Sequence, residues 1–301
     1  EIFECIQTST ANHNRMLPKL KALQDQAPDE ITAILRQTIQ PFLVSKQDHV
    51  AHRVVRFLGE FCSTAQQRNA GLATALIREY MPLSKAQDKT VRQRACQLIG
   101  ELMARLPDDT SDDELFESTI KGMQLRLCDQ NAQVRSAAVD ALWRLHDPTD
   151  KNDEVTQALL LTLAEDPCKH VRQAVLVKLE KSLTASEELK TSKGAGLVSV
   201  PHILRLVRDR DAHIRKVTYG IVQSNIAMKN IPQEQRVQLV KNALREKNAE
   251  VRSAATRMLC NGWLAAEDLD PVRMLGYFHV TQNLELAEQL SVVLHDHLQH
   301  L

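Results

Sequence analysis

Apolar positions along this chain fall at helical spacing, and the spacing itself recurs. In DQNAQVRSAAVDAL (129–142) and the residues just after it, Val134, Ala138, Leu142 and Leu145 mark one face of a helix with 3.6 residues per turn. The same phrase returns as DKTVRQRACQLIGEL, DPCKHVRQAVLVKL, DAHIRKVTYGIV and NAEVRSAATRML. Anchored on the first branched apolar residue, the series runs Val50, Val91, Val134, Val171, Ile214 and Val251, with separations of 41, 43, 37, 43 and 37 residues. A second amphipathic segment precedes each anchor: DEITAILRQTIQPFLV, NAGLATALIREYMPL, DELFESTIKGMQLRL, DEVTQALLLTLAE, LVSVPHILRLV and QEQRVQLVKNAL. Two helices per unit, neither able to bury its apolar face alone, predict an α-solenoid.

A helical period of roughly 40 residues is the signature of HEAT or armadillo arrays. The pattern predicts an all-α, HEAT-repeat α-solenoid of about seven helix pairs in a curved right-handed array. It runs as a single continuous array over 1–301, with a degenerate seventh unit from Pro271 to about His300. Breaks fall at 107–113, 146–153 and 184–199, and the last, the most polar, reads as an exposed inter-repeat loop. An Asp or Asn ahead of each anchor (Asp88, Asp129, Asp166, Asp211, Asn248) suits an N-cap. Directly after the anchor stands Arg92, Arg135, Arg172, Arg215 or Arg252, whereas the first unit has Ala51. Acids and arginines at fixed places in stacked units can form a ladder of ion pairs between repeats. Small or branched residues four positions past the anchor allow close helix approach, and Gly59 aligns with Gly100.

Composition narrows the class. Nine Gly, ten Pro and 4% aromatics suit helices, and 43% hydrophobic residues in 301 are enough for a large core. Lys plus Arg equals Asp plus Glu at 38 each, so any basic surface must be local. The six cysteines are scattered without a CxxC pair, and Cys62, Cys96 and Cys260 sit in apolar helical patterns, as buried thiols in a reducing compartment do. No signal peptide or membrane-length apolar run appears, so the chain reads as intracellular and soluble. It starts without Met and ends mid-pattern at LHDHLQHL, as a portion of a longer protein would.

The stretch IRKVTYGIVQSNIAMKNIPQEQRVQLVKNALREKNAEVRSAATRMLCNGWL (214–264) is more particular than a generic HEAT unit. With Arg215, Lys216, Tyr219, Met228, Gln235, Arg236, Trp263 and Leu264 it resembles the condensin HEAT-repeat subunit of the CAP-G type (condensin subunit 3). AVDALWRLHDPTD and the opening EIFECIQTSTANHNRMLPKLKAL are similar to the same family, although His146 and the 184–199 loop depart from its pattern. The resemblance implies a non-enzymatic subunit of the complex that condenses mitotic chromosomes. It implies binding of the kleisin subunit (CAP-H type), which joins the array to the SMC subunits indirectly. It also implies that array and kleisin together clamp double-stranded DNA in a basic groove. The implied location is the nucleus and mitotic chromosomes, with a cytoplasmic pool, and no membrane, cofactor or metal is involved.

The residues themselves carry local charge of the right kind. Residues 44–105 hold 10 Lys/Arg against 5 Asp/Glu, and 201–262 hold 12 against 5; 108–117 holds six acids, and 264–301 holds six with Arg273 as its one Lys or Arg. Cations displacing counterions need no base readout to hold a phosphate backbone. The candidates at helix starts and turns are Lys46, Lys89, Arg94, Lys169, His170, Arg208, Arg210, Lys216 and Lys247. To these are added Arg53 and Arg56 and the ladder residues Arg92, Arg172, Arg215 and Arg252. Val177, Tyr219 and Met258 are candidates to receive an extended kleisin peptide. No Walker loop, nucleophile elbow or metal-ligand set is present: SKGAG (192–196) has the wrong order, and His295, His297 and His300 lack a completing cluster. Trp143 and Trp263 read as packing residues. The competing function is a HEAT adaptor, a transport receptor or phosphatase scaffold, that binds proteins but no DNA, since the fold alone does not choose. A third reading keeps the kleisin-docking role without DNA affinity.

Overall fold

A computed structural model describes residues 1–64, 66–185 and 198–300, and every regular element among them is helical. Sixteen α-helices follow in chain order: α1 (Ile2–Thr8), α2 (His13–Gln26), α3 (Pro28–Leu43), α4 (Asp48–Ser63), α5 (Gln66–Tyr80), α6 (Lys89–Met103), α7 (Asp113–Leu127) and α8 (Ala132–Leu142), then α9 (Glu154–Glu165), α10 (Lys169–Ala185), α11 (Ser199–Arg205), α12 (Ala212–Asn225), α13 (Gln233–Leu244), α14 (Ala249–Arg257), α15 (Pro271–Gly276) and α16 (Leu284–Gln299). They form seven helix pairs from α3/α4 to α15/α16, fronted by α1 and α2, and every anchored segment opens the second helix of a pair. The architecture is the HEAT-type helical repeat. The 184–199 loop falls almost wholly outside the described residues.

The chain divides into two compact units, Glu1–His146 and Asp147–Leu301. In the first, α4, α6 and α8 stack side by side while α3, α5 and α7 each pack on their own partner. The residues four past the anchors, Val54, Ala95 and Ala138, are fully buried in that stack. Gly100 permits its closest approach, because a Cβ there would lie 3.1 Å from the backbone nitrogen of Ala141 on α8.

In the second unit α10, α12 and α14 stack in the same way, with Val175, Thr218 and Ala255 buried at the equivalent position. Beyond Arg257, α14 widens into a π-helical turn, Met258–Leu264, which buries Trp263 with its ring 6.5 Å from that of Phe278. Trp143, by contrast, is half-buried and stacks on His146 at 4.0 Å. All six cysteines are free, and burial pushes the thiols of Cys62 and Cys96 up to about 12 and that of Cys260 to about 11.

Helix capping follows the sequence at three units and departs from it at two. Asp88, Asp211 and Asn248 accept backbone N–H bonds from the first turns of α6, α12 and α14. For α8 the cap is Asn131, two residues after the Asp129 expected there. Asp166 likewise stands two residues too early, and its carboxylate accepts from the Cys168 amide. Capping belongs to the third residue before the anchor, and the fifth belongs to something else.

Candidate nucleic-acid interface

The fifth position supplies the ladder. Arg92 donates to both carboxylate oxygens of Asp129, at 2.7 and 3.0 Å. Arg172 does the same to Asp209 at 2.8 and 2.7 Å, and Arg215 to Glu246 at 2.9 and 3.1 Å. In each case the third nitrogen closes on the turn before its own helix: Arg92 on Ala86 and Gln87, Arg172 on Asp166, Arg215 on Asp209. Buried Arg135 makes the equivalent bond to the carbonyl of Asp129. Such bidentate pairs suit the planar guanidinium fork. Burial tends to raise the Asp129 carboxyl, but hydrogen bonds from Arg92 and the Asn131 amide, with the charges of Arg92 and Arg126, together outweigh it and hold the group below the usual carboxylate range. The Arg215 hydrogen bonds hold Glu246 low in the same way. Arg172 and Asp209 are 2% and 5% exposed, which leaves no face of that guanidinium for a phosphate.

The ladder therefore removes Arg92, Arg172 and Arg215 from the candidate phosphate ligands. Arg94 leaves with them: it is buried, paired with Asp48, and bonded to the Ser45 carbonyl and the Gln97 side chain. Arg53 donates to the Gln7 carbonyl and Arg56 pairs with Glu60 at 2.9 Å, which ties α4 to α1 and to itself. Exposed Arg252 reaches the Glu246 carbonyl at 3.3 Å.

What remains is an edge. In an antiparallel pair the end of the first helix, the turn and the start of the second helix lie together, and the stacked pairs of one unit align these ends. In the second unit that edge carries Lys169 and His170, then Arg208 and Arg210, then Lys247, from the sequence candidates. Arg205, where the second basic tract of the sequence begins, ends α11 on this edge, and the structure adds Lys241 in the last turn of α13 and Arg245 as its C-cap. The acids here are mostly engaged: Asp209 and Glu246 in the ladder, Asp211 with Lys169 at 3.2 Å, Glu250 with Lys216 at 2.8 Å. Arg210 donates to the carbonyls of Asp166 and Pro167. His170, Arg205, Lys241, Arg245 and Lys247 have no acidic partner among the described residues. The first unit repeats the arrangement more sparsely with exposed Lys46, Lys85 and Lys89.

The opposite edge, where second helices end and first helices begin, is acidic. It carries Asp108, Asp109, Asp112 and Asp113 in the first unit and Asp147, Asp150 and Asp153, then Glu267, Asp268 and Asp270, in the second. Several of these are caps: Asp112 for α7, Asp153 for α9, Asp270 for α15. Four of these acids are paired with cations: Asp108 with Arg144, Asp112 with Arg78, Glu267 with Lys229 and Asp268 with Arg273. The candidate peptide receptors fare differently. Tyr219 and Met258 are completely buried in the stack, so neither meets a ligand, while Val177 is half-buried on α10.

The fold and its edges define a HEAT-repeat scaffold with a cationic edge in each unit. No family model matches the chain. Condensin complex subunit 3 of Schizosaccharomyces pombe is 31% identical over 291 residues, covering 95% of this chain and 31% of the relative. Its Xenopus laevis counterpart is 26% identical over 303 residues, covering 95% of this chain and 28% of the relative. Among solved structures, the crystal structure of the S. pombe condensin Cnd3–Cnd2 subcomplex superimposes with a TM-score of 0.78 at 28% identity, over 98% of this chain and 37% of that one. The array is of the condensin subunit 3 kind. It spans about a third of the length of the curated relatives it matches.

Proposed function

We propose that this chain is a non-catalytic scaffold of a chromosome-associated condensin complex, binding the kleisin subunit and, together with it, double-stranded DNA without sequence specificity. The Cnd3–Cnd2 structure pairs a chain of this fold with a second condensin subunit, which supports the kleisin contact. The observation that carries the DNA contact is the run of exposed cations, left without acids, along one edge of each unit. Lys89 on that edge opens α6, where the dipole disfavours a cation by about 0.3–1 kcal/mol, whereas Lys169 at the start of α10 is held by Asp211. A cation at such a place, with no acid paired to it among the described residues, suits a ligand of opposite charge. With kleisin engaged and the edge occupied, the chain contributes to mitotic chromosome condensation in the nucleus and reaches the SMC subunits through the kleisin.

Fluorescence anisotropy with a short duplex at two salt concentrations, with and without the kleisin subunit, tests this. The expected result is binding that tightens with kleisin and falls steeply with salt, at a slope of about 0.9 per phosphate neutralised. Kleisin binding with no duplex binding under any of these conditions would leave the protein-only adaptor.

A further inference from the structure

Between α11, the turn that follows it and α13, the second unit has a small surface pocket of about 190 Å³, floored by Leu204, Val207 and Leu239 and overlaid by the amide side chains of Gln235, Gln238 and Asn242. Beyond the ridge formed by Arg205 and Arg208, a second depression of about 350 Å³ runs to the end of α9, bordered by His202, Glu165 and Arg210. Arg205 and Arg208 line both. Arg205 has no hydrogen-bond or acidic partner among the described residues, and Arg208 has one long contact, to Asn242 at 3.4 Å. The same two side chains thus border an apolar socket and a cationic cleft at once.

A phosphate backbone makes no use of an apolar socket a few ångströms from its cations, since duplex binding rests on charge and on the polar sugar–phosphate chain. A peptide does: an apolar side chain fills the socket, and an acidic or phosphorylated residue next to it meets the guanidiniums, the chemistry by which arginine pairs read anionic motifs. We infer that the Arg205–Arg208 ridge is a docking site for a short linear peptide that carries an apolar anchor followed within a few residues by Asp, Glu or phosphoserine. Gln235 and Gln238 line the socket beside this ridge, and Gln238 is exposed, so its amide is open to the backbone of a bound peptide. The site lies on the first-helix side of the unit, and it stands whether or not the cationic edge binds duplex.

The test uses the full chain and a panel of fluorescein-labelled nine-residue peptides. Each holds one Leu, Ile or Phe followed at one to three positions by Asp, Glu or phosphoserine, with the apolar residue replaced by Ser as the paired control. Anisotropy is expected to find panel members that bind at least about tenfold more tightly than their Ser controls. The double charge reversal R205E/R208E abolishes that binding. Filling the socket by Gln238→Trp, at an exposed position, removes the preference for the apolar anchor and leaves duplex binding unchanged. If no panel member exceeds its Ser control, or if R205E/R208E weakens duplex DNA and leaves peptide binding intact, the ridge belongs to the nucleic-acid surface and the inference fails.

Discussion

Arg172 and Arg208 lie on the same edge of the same unit, and the physics of the two is opposite. Arg172 is withdrawn from water, with both carboxylate oxygens of Asp209 and the Asp166 carbonyl around it. Arg208 is exposed, with one weak contact to Asn242. The buried region holds repeats together, and the exposed region offers charge to something else. A ladder arginine directly follows its own anchor and meets the acid five residues before the next one, as Arg172 meets Asp209, whereas Arg208 follows no anchor.

The sharpest way to break this comparison is to remove a rung. Arg172→Ala leaves the Asp209 carboxylate buried without its partner, and is expected to destabilise the second unit by about 3–5 kcal/mol in urea unfolding. Replacing both residues by apolar ones, Arg172→Met with Asp209→Leu, is expected to recover most of that loss, because no charge is then stranded. A single variant as stable as the parent would show that the ladder does not hold the repeats. Acid acts on the same rungs. Asp129 and Glu246 are held below their ordinary values, so their contribution is fully present above the unfolded carboxyl values of about 4 and is lost as pH falls through the folded ones. Circular dichroism against pH is expected to lose helix below about pH 4.

Glycine gives a smaller effect in the first unit. Gly100→Leu must push α6 off the backbone of Ala141, and is expected to cost about 1–3 kcal/mol. Gly71 faces open space within α5, and Gly71→Ala is expected to stabilise by about 0.4–1 kcal/mol. Chemical denaturation of both variants checks the sign: equal effects would mean that the close α6–α8 contact does not govern stability.

On the exposed edge the effect moves from stability to affinity. The triple reversal Lys241→Glu, Arg245→Glu and Lys247→Glu breaks no ion pair among the described residues, so the chain is expected to stay folded, with a melting temperature lowered by only a few degrees through the acids placed at the end of α13. Duplex binding is expected to weaken by about tenfold or more at low salt, with the salt slope reduced by about one for each phosphate no longer neutralised. Unchanged affinity and slope would move the DNA-binding surface elsewhere or remove it.

The repeat, its anchors, the buried four-on residues and the existence of a ladder were legible in the sequence, since each rests on a local period. Which arginines are spent on the ladder was not. The acid that takes Arg92 is 37 residues away in the chain, as is the one that takes Arg172, and the one that takes Arg215 is 31 away. Cap and rung positions are only two residues apart, and where the cap position holds Asn131 or Cys168 the acid before it, Asp129 or Asp166, reads as the cap. Tyr219 and Met258 looked available for a peptide because a helix packed on two sides buries more than one apolar stripe, and a single period does not say which stripe stays open. The acidic turns were visible as composition, but their common edge became visible only once the helices were stacked.

Lys216 falls between the two regions, and its variants give the smallest and finest test. It stands beside the ladder residue Arg215, yet its Nζ is part-exposed and held by Glu250 at 2.8 Å. Exposed pairs of this kind contribute little to stability, and salt screens them further. If Lys216 belongs to the edge, the charge that Glu250 masks is available on demand. Glu250→Gln is then expected to tighten duplex binding by about two- to fivefold at low salt, and the gain to vanish at high salt. Lys216→Ala is expected to abolish the gain when the two substitutions are combined, a double-mutant cycle that isolates the pair. An additive cycle would assign Lys216 to the scaffold, and the cationic edge would end at the turn.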